Sequence, residues 1–271
     1  MIELFDTHCH THEMVRKLTP VYDKWREDGV ERDPNQVIRD ANAAGVNRML
    51  CIGTTGADSE LAIEFVRERE GLWASIGIHP HEAQDHLSKE AKEKFAALAT
   101  SEKVVAVGEC GLDYFYTHSP KEAQIDLLKF QIELALEHNL PLSFHVREAF
   151  DDFWPIFESY RGANVRGVLH SYTDNLANLE KAVQHGLHFG VNGIATFAKN
   201  EAQLVTYRTI PQQLLLLETD APFLTPVPFR GKVCESKHVR VTAEYLAGLR
   251  GENLESLAAT TTANARALFN V

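Results

Sequence analysis

Two histidines, His8 and His10, stand at the end of the first apolar segment of this 271-residue chain, separated by one residue. Residues two apart in an extended segment point to the same side, so both imidazoles can bind one metal ion. An H-x-H pair is common by chance. The metal interpretation therefore depends more on the position of the pair at the end of a predicted strand than on its spacing.

Five further imidazoles and carboxylates end later apolar segments: His79, Glu109, His145, His170 and Asp220. Such groups are ligands of hard or borderline divalent ions. Each alone could be a satisfied core histidine, a helix cap or a salt-bridge partner. If these residues lie close together in the folded protein, burying them without partners would be costly, whereas metal ions would satisfy them together. Seven other histidines are interpreted as structural: His12, His81, His86, His118, His138, His185 and His238.

Eight short β-rich segments position these residues: 2–7, 47–53, 73–78, 104–109, 141–145, 165–170, 187–192 and 214–219. Between them lie segments with helical periodicity, such as 119–139. Nearly continuous apolar strands are expected in a parallel sheet that is buried on both faces. The alternation predicts an α/β fold, a single (β/α)8 TIM barrel domain over residues 1–271, with its active site at the carboxyl ends of the strands.

Turn and cap residues support these element boundaries. Asp33-Pro34 and Ser119-Pro120 each place a cap residue before a proline at the first helical position. The connections 11–32 and 221–237 are predicted to be longer than the others, and both leave the carboxyl end of a strand. Barrel enzymes build their active sites from such connections.

Charge and composition restrict the partners. A formal net charge of -11 argues against a broad basic surface that holds nucleic acid by counterion release. Two divalent ions would add about +4 locally, so any nucleic-acid contact is expected to be local and metal-dependent. No apolar run approaches the roughly 18 residues that span a bilayer, which predicts no membrane insertion. No obligate protein partner is predicted.

The cellular compartment follows from the first residues and the cysteines. The sequence MIELFDTHCH enters a predicted strand directly, which favours the absence of a signal peptide. The four cysteines form no C-x-x-C pair, so a disulfide framework is not predicted. A cytoplasmic location is expected.

Several motifs resemble the TatD-type deoxyribonuclease family of metal-dependent hydrolases, in order and over essentially the whole chain. They are DTHCH at 6–10, GIHPH at 77–81, GECGLDY at 108–114, HVRE at 145–148, HSY at 170–172, GIATF at 193–197, LLETDAPFLTP at 216–226, RGK at 230–232 and TTANARALF at 261–269. The resemblance implies a barrel of the metallo-dependent hydrolase type. It also implies a two-metal phosphodiesterase acting on DNA, often as a 3′-5′ exonuclease.

The resemblance also implies residue roles. The metal ligands would be His8, His10 and Asp220 for a first ion, Glu109 as a bridge, and His145 and His170 for a second ion. The ions would be Mg, Mn or Zn, because mixed oxygen and nitrogen ligands do not choose among them. His79 would contact the substrate near the scissile phosphate, and Arg147 and Arg230 are candidate phosphate-binding residues.

The implied mechanism uses Asp220, Glu109 and His79 as catalytic residues. A water bridging two divalent ions has its pKa lowered towards neutrality, and the resulting hydroxide can attack phosphorus. Asp220 would orient that hydroxide and accept its proton, while His79 would stabilise charge on the phosphoryl oxygens.

Two alternatives remain. An amide or lactone hydrolase of the wider metal-dependent barrel superfamily would use similar ligands. Many such relatives bridge their metals with a carboxylated lysine, whereas Glu109 ends the fourth predicted strand here, which favours the nuclease. The second alternative is a non-catalytic scaffold whose metal site serves stability.

Overall fold

The computed structural model describes residues 2–16, 19–116 and 118–271. Eight strands form one sheet in sequence order from β1 to β8, so the predicted (β/α)8 barrel is confirmed. The strands are β1 Leu4–Cys9, β2 Val46–Ile52, β3 Leu72–Ile76, β4 Val104–Asp113, β5 Leu142–Arg147, β6 Gly167–Leu169, β7 His188–Val191 and β8 Leu215–Leu217.

Helices follow the strands as the βα units require. The α-helices of the described residues are α1 Pro20–Trp25, α2 Pro34–Ala43, α3 Gly56–Val66, α4 Lys89–Ala96, α5 Lys121–Glu137, α6 Phe150–Ser159, α7 Leu176–Gln184, α8 Glu201–Thr209, α9 Val239–Arg250 and α10 Leu254–Phe269. Among these residues, none of the helices is both long and apolar enough to cross a bilayer.

The chain groups into two compact units, and a single domain over residues 1–271 stays a prediction. The first unit comprises Met1–Cys51 and Ser171–Ala267, and the second comprises Ile52–His170 and Leu268–Val271. In the first unit, every residue of β1 and of β8 is buried. A bridge between Cys9 and Ala221 joins β1 to the segment that follows β8.

In the second unit, helix α5 holds the carboxyl ends of two strands. The side-chain amide of Gln131 accepts a hydrogen bond from the backbone N–H of Ile78 and donates one to its carbonyl. Gln124 makes the same pair of bonds with the backbone of Asp113. Both glutamines are buried. Because each amide satisfies two backbone groups, the segments after β3 and at the end of β4 are fixed against the helix.

One of the two predicted helix caps is wrong. Asp33 caps α2, since its carboxylate accepts a hydrogen bond of 3.1 Å from the backbone N–H of Gln36. Helix α5 instead begins after Pro120, and Ser119 makes no cap bond. The Ser119 hydroxyl donates to the carbonyl of His81 and accepts from the N–H of Gln84. It is therefore committed to the turn after β3.

Candidate metal centre

In the first unit, three predicted ligands converge: His8 lies near the end of β1, His10 just after it, and Asp220 after β8. Nε2 of His8 lies 3.6 Å from Oδ1 of Asp220, and Nε2 of His10 lies 3.4 Å from the same oxygen. Their ligand atoms are close enough together to hold one metal ion. Both imidazoles face the same carboxylate, as expected for residues separated by one position at the end of a strand.

Backbone contacts hold Asp220 beside β1. Its N–H donates to the carbonyl of His8 at 2.8 Å, and its own carbonyl accepts from the N–H of Phe223. The φ angle of Asp220 is +61°, a left-handed conformation that aspartate adopts more readily than most residues. A residue held in this region by its surroundings is a frequent feature of functional sites.

A buried carboxylate that sequence reasoning did not select, Asp6, ties the two strands together. It accepts hydrogen bonds from the N–H of Thr219 at 2.8 Å and from its hydroxyl at 2.7 Å. Burial raises the pKa of Asp6 well above its ordinary value, although the Thr219 bonds oppose that shift. Period two places Asp6 on the same side of β1 as His8, which is the signal that could have identified it.

In the second unit, one carboxylate oxygen is surrounded by three imidazoles. Oε1 of Glu109 lies 2.8 Å from Nδ1 of His145, 3.6 Å from Nε2 of His79 and 3.7 Å from Nε2 of His170. Glu109 and His145 come from β4 and β5, while His79 and His170 follow β3 and β6. His145 lies in the second half of β5, and His79 and His170 follow their strands, whereas Glu109 lies within β4, four residues before its end.

His145 is held through both ring nitrogens. Its Nδ1 faces Glu109, and its Nε2 lies 3.0 Å from Oδ2 of Asp113. Although burial opposes protonation, the contacts with Asp113 and Glu109 raise the pKa of His145 to about 9. Ionised carboxylates only accept hydrogen bonds. A histidine binds a metal ion only as the neutral ring, so the ion would replace one of the two ring protons. If the remaining proton lies on Nε2, facing Asp113, then Nδ1 is the nitrogen that can bind the ion, as in carboxylate–histidine–metal arrangements.

Asp113 is a second residue that sequence reasoning missed. Burial disfavours its charge, but hydrogen bonds from His145 and His81 prevail and hold its pKa well below the ordinary value. We expect Asp113→Asn to weaken metal binding or activity by about 10- to 100-fold, because the His145 ring would lose its charged partner. Titration of metal-free protein with Mn checks this. Unchanged affinity and turnover would contradict it.

His79 has the environment of a hydrogen-bond donor. Its Nδ1 accepts from the backbone N–H of His81 at 3.1 Å, so the proton of a neutral ring lies on Nε2. Burial lowers the pKa of His79 well below its ordinary value, which keeps the ring neutral near pH 7. By proximity His79 could join Glu109 and His145 around an ion. The protonated Nε2 instead favours the substrate contact that the resemblance implies.

The two candidate phosphate-binding arginines both lie over aromatic rings. Arg147 ends β5 and is exposed, and its Cζ is 4.0 Å from the centre of the Phe115 ring. Arg230 lies in the first unit with its Cζ 4.0 Å from the centre of the Phe197 ring. We call Glu109 and the three imidazoles around it, His79, His145 and His170, the Glu109 cluster. Asp113 pairs with Arg147 in the strand register, which places Arg147 beside this cluster.

Glu218 is a third carboxylate that the sequence interpretation did not use. It is buried, and its Oε1 accepts from the N–H of Ser171 at 2.7 Å and from Nδ2 of Asn192 at 3.2 Å. It lies two residues before Asp220 in the motif LLETDAPFLTP. Through these bonds it fixes the residue that follows His170.

The donors in both clusters suit a divalent cation. They are imidazole nitrogens and carboxylate oxygens in groups of three or more, a set compatible with Mg, Mn or Zn. A site with about three protein ligands leaves coordination positions for water and substrate, as catalytic sites require. His138, by contrast, caps the carboxyl end of α5, at the opposite end of a βα unit.

The sequence matches a family model described as TatD related DNase over residues 5–270. It is 34% identical over 268 residues to the Bacillus subtilis protein named uncharacterized metal-dependent hydrolase YabD, covering 99% of each chain. It is 35% identical over 249 residues to the 3'-5' ssDNA/RNA exonuclease TatD of Erwinia amylovora, covering 89% of this chain and 95% of that protein.

Among solved structures, the TatD homolog YJJV from Escherichia coli has a TM-score of 0.86 and 28% identity, covering 99% of this chain and 98% of that chain. These matches confirm the family resemblance that the motifs indicated. They also confirm that the barrel is of the metallo-dependent hydrolase type.

Proposed function

This chain belongs to the family of TatD-related DNases and is a metal-dependent hydrolase, and from that premise we propose that it is a deoxyribonuclease. Its proposed reaction is hydrolysis of phosphodiester bonds, with removal of nucleotides from the 3′ end of single-stranded DNA. The observation that supports the proposal is the pair of imidazole and carboxylate clusters formed by residues of the strands and of the segments that follow them. A relative at 35% identity is named a 3'-5' ssDNA/RNA exonuclease, which supports the polarity.

We further propose two divalent ions, Mg, Mn or Zn, one for each cluster. His8, His10 and Asp220 would hold the first ion, and Glu109, His145 and His170 the second. When bound, such ions lower the pKa of water and neutralise charge on a phosphoryl group. A bridging position of Glu109 between the ions stays a prediction from the family resemblance.

The side chains supply binding and proton transfer. Asp220 accepts the proton of the attacking water, for which its partly accessible carboxylate is suited: the side chain is 16% exposed. His79 donates from Nε2 to a phosphoryl oxygen. Arg147 and Arg230 each contact a phosphate of the substrate. With a net charge of -11, the protein holds DNA locally at this site instead of along its surface.

A substrate panel tests the proposal. We expect Mg- or Mn-loaded protein to shorten single-stranded DNA carrying a 5′ label, one nucleotide at a time. RNA, duplex DNA, a simple phosphodiester, an amide and a lactone serve as parallel substrates. Hydrolysis of the amide or lactone with every phosphodiester left intact would establish the alternative hydrolase. If loaded protein turned over none of these substrates, the scaffold alternative would be favoured.

A further inference from the structure

Two neighbouring aromatic rings are exposed beside the Glu109 cluster. Phe115 and Tyr116 are 48% and 43% exposed, and they are the aromatic members among the exposed large hydrophobic residues of the described chain. Their ring centroids lie 4.7 Å apart in an edge-to-face arrangement. Isolated exposed apolar residues need no explanation. Two adjacent exposed rings held next to a candidate active site do need an explanation.

The same carboxylate that holds His145 fixes these rings. Oδ1 of Asp113 accepts hydrogen bonds of 3.0 Å from the backbone N–H groups of both Phe115 and Tyr116. Oδ2 of Asp113 lies 3.0 Å from Nε2 of His145. One buried side chain therefore positions a candidate metal ligand and the backbone of both rings.

A cation and an imidazole complete the surface. Cζ of Arg147 lies 4.0 Å from the Phe115 ring centre and 4.9 Å from that of Tyr116. The ring of His118 stacks on Tyr116 at an interplanar angle of 26° with centroids 5.7 Å apart. Aromatic faces joined to a cationic groove are the means by which proteins bind single-stranded nucleic acid. In an acidic protein, the guanidinium of Arg147 supplies local charge complementary to phosphate.

We propose that Phe115 and Tyr116 form a stacking subsite for an unpaired nucleobase, with Arg147 bound to the adjoining phosphate. The inference rests on the proposed nuclease function and gives a physical reason for its preference for a single strand. A base paired within a duplex cannot offer its face to a protein ring without leaving its stack. Base stacking at this position would thus favour a frayed or single-stranded end.

The test compares a base with its absence. The probe is a short single-stranded oligonucleotide with 2-aminopurine at its 3′-terminal nucleotides, and its counterpart carries abasic residues there with the same phosphates. Binding is measured in Mg with the full-length Asp220→Asn protein, so that slow turnover preserves the probe. We expect about tenfold tighter binding of the base-bearing strand, with quenching of 2-aminopurine fluorescence.

Protein variants locate the effect. Phe115→Ala and Tyr116→Ala should each lose about tenfold in affinity for the base-bearing strand and little for the abasic strand, while Tyr116→Phe should retain both. Tyr160→Ala is the matched control, because Tyr160 follows the carboxyl end of α6 and donates its hydroxyl to Glu133. Should an alanine variant fail to fold, the comparison of the two strands on otherwise unaltered rings still decides.

Equal affinity for the two strands, or equal losses for both in the alanine variants, would overturn the subsite. Hydrolysis by the unsubstituted protein is measured separately. Turnover of DNA without any base preference would refute the stacking subsite alone. Base-dependent binding with no turnover of any phosphodiester would refute the nuclease proposal and leave the subsite standing.

Discussion

Replacing Asp220 by asparagine is expected to lower turnover by about 10²- to 10⁴-fold, the usual loss when a general base is removed. The change is nearly isosteric and keeps one oxygen for coordination, but it removes the negative charge and the ability to accept a proton. His8 and His10 remain to hold the first ion more weakly. The backbone bonds of Asp220 to His8 and Phe223 do not involve the carboxylate, so the turn should persist.

Steady-state rates across a range of metal concentrations, with melting temperature and bound metal, check this expectation. Asp126→Asn is the matched control, since Asp126 is exposed on α5, and it should behave as the unsubstituted protein does. Near-normal turnover of Asp220→Asn at saturating metal would remove Asp220 from the mechanism. A fall in melting temperature large enough to explain the lost activity would instead assign it a structural role.

Removing either of the two imidazoles proposed to bind the second ion, His145 or His170, should release metal. In His145→Ala and His170→Ala we expect metal affinity and activity to fall by more than about 10- to 100-fold, the loss that follows removal of a group merely supporting a ligand. Each ring lies within 3.7 Å of the Glu109 carboxylate oxygen, so each deletion removes one donor from a compact cluster.

Elemental analysis of the purified variants, with activity after reloading, provides the measurement. His138→Ala is the control, because His138 lies at the carboxyl end of α5. This substitution should change neither metal content nor rate. Similar losses in all three variants would return His145 and His170 to the interpretation of structural histidines.

The barrel could be predicted because most strands are short, largely apolar runs and the segments between them, such as 119–139, show helical periodicity. The parallel order then brings strand ends to one face, so His8, Glu109 and His145 could be selected without coordinates. The strand bounds are less well predicted than the strands themselves: β4, for example, is predicted over 104–109 and extends from Val104 to Asp113.

The length of β4 and the role of Ser119 could not be predicted because both depend on contacts between residues far apart in the sequence. Gly111 interrupts the apolar pattern of β4, yet a Cβ there would collide with the carbonyl of His145, so the close strand approach requires glycine. That extension carries Asp113 to its place beside His145. Ser119 shows the same limit at a helix end, because its hydroxyl bonds residues of a distant turn instead of the helix that follows. Contacts between residues remote in sequence leave no local pattern.

The most direct test of the account is metal-dependent cleavage of a 5′-labelled single-stranded DNA by unsubstituted protein before chelation, after chelation and after reloading with Mg or Mn. The account predicts a ladder of products shortened from the 3′ end, its loss on chelation and its return on reloading. Continued cleavage by fully chelated protein, or intact DNA with protein shown to contain metal, would contradict the claim that these clusters form a metal-dependent nuclease.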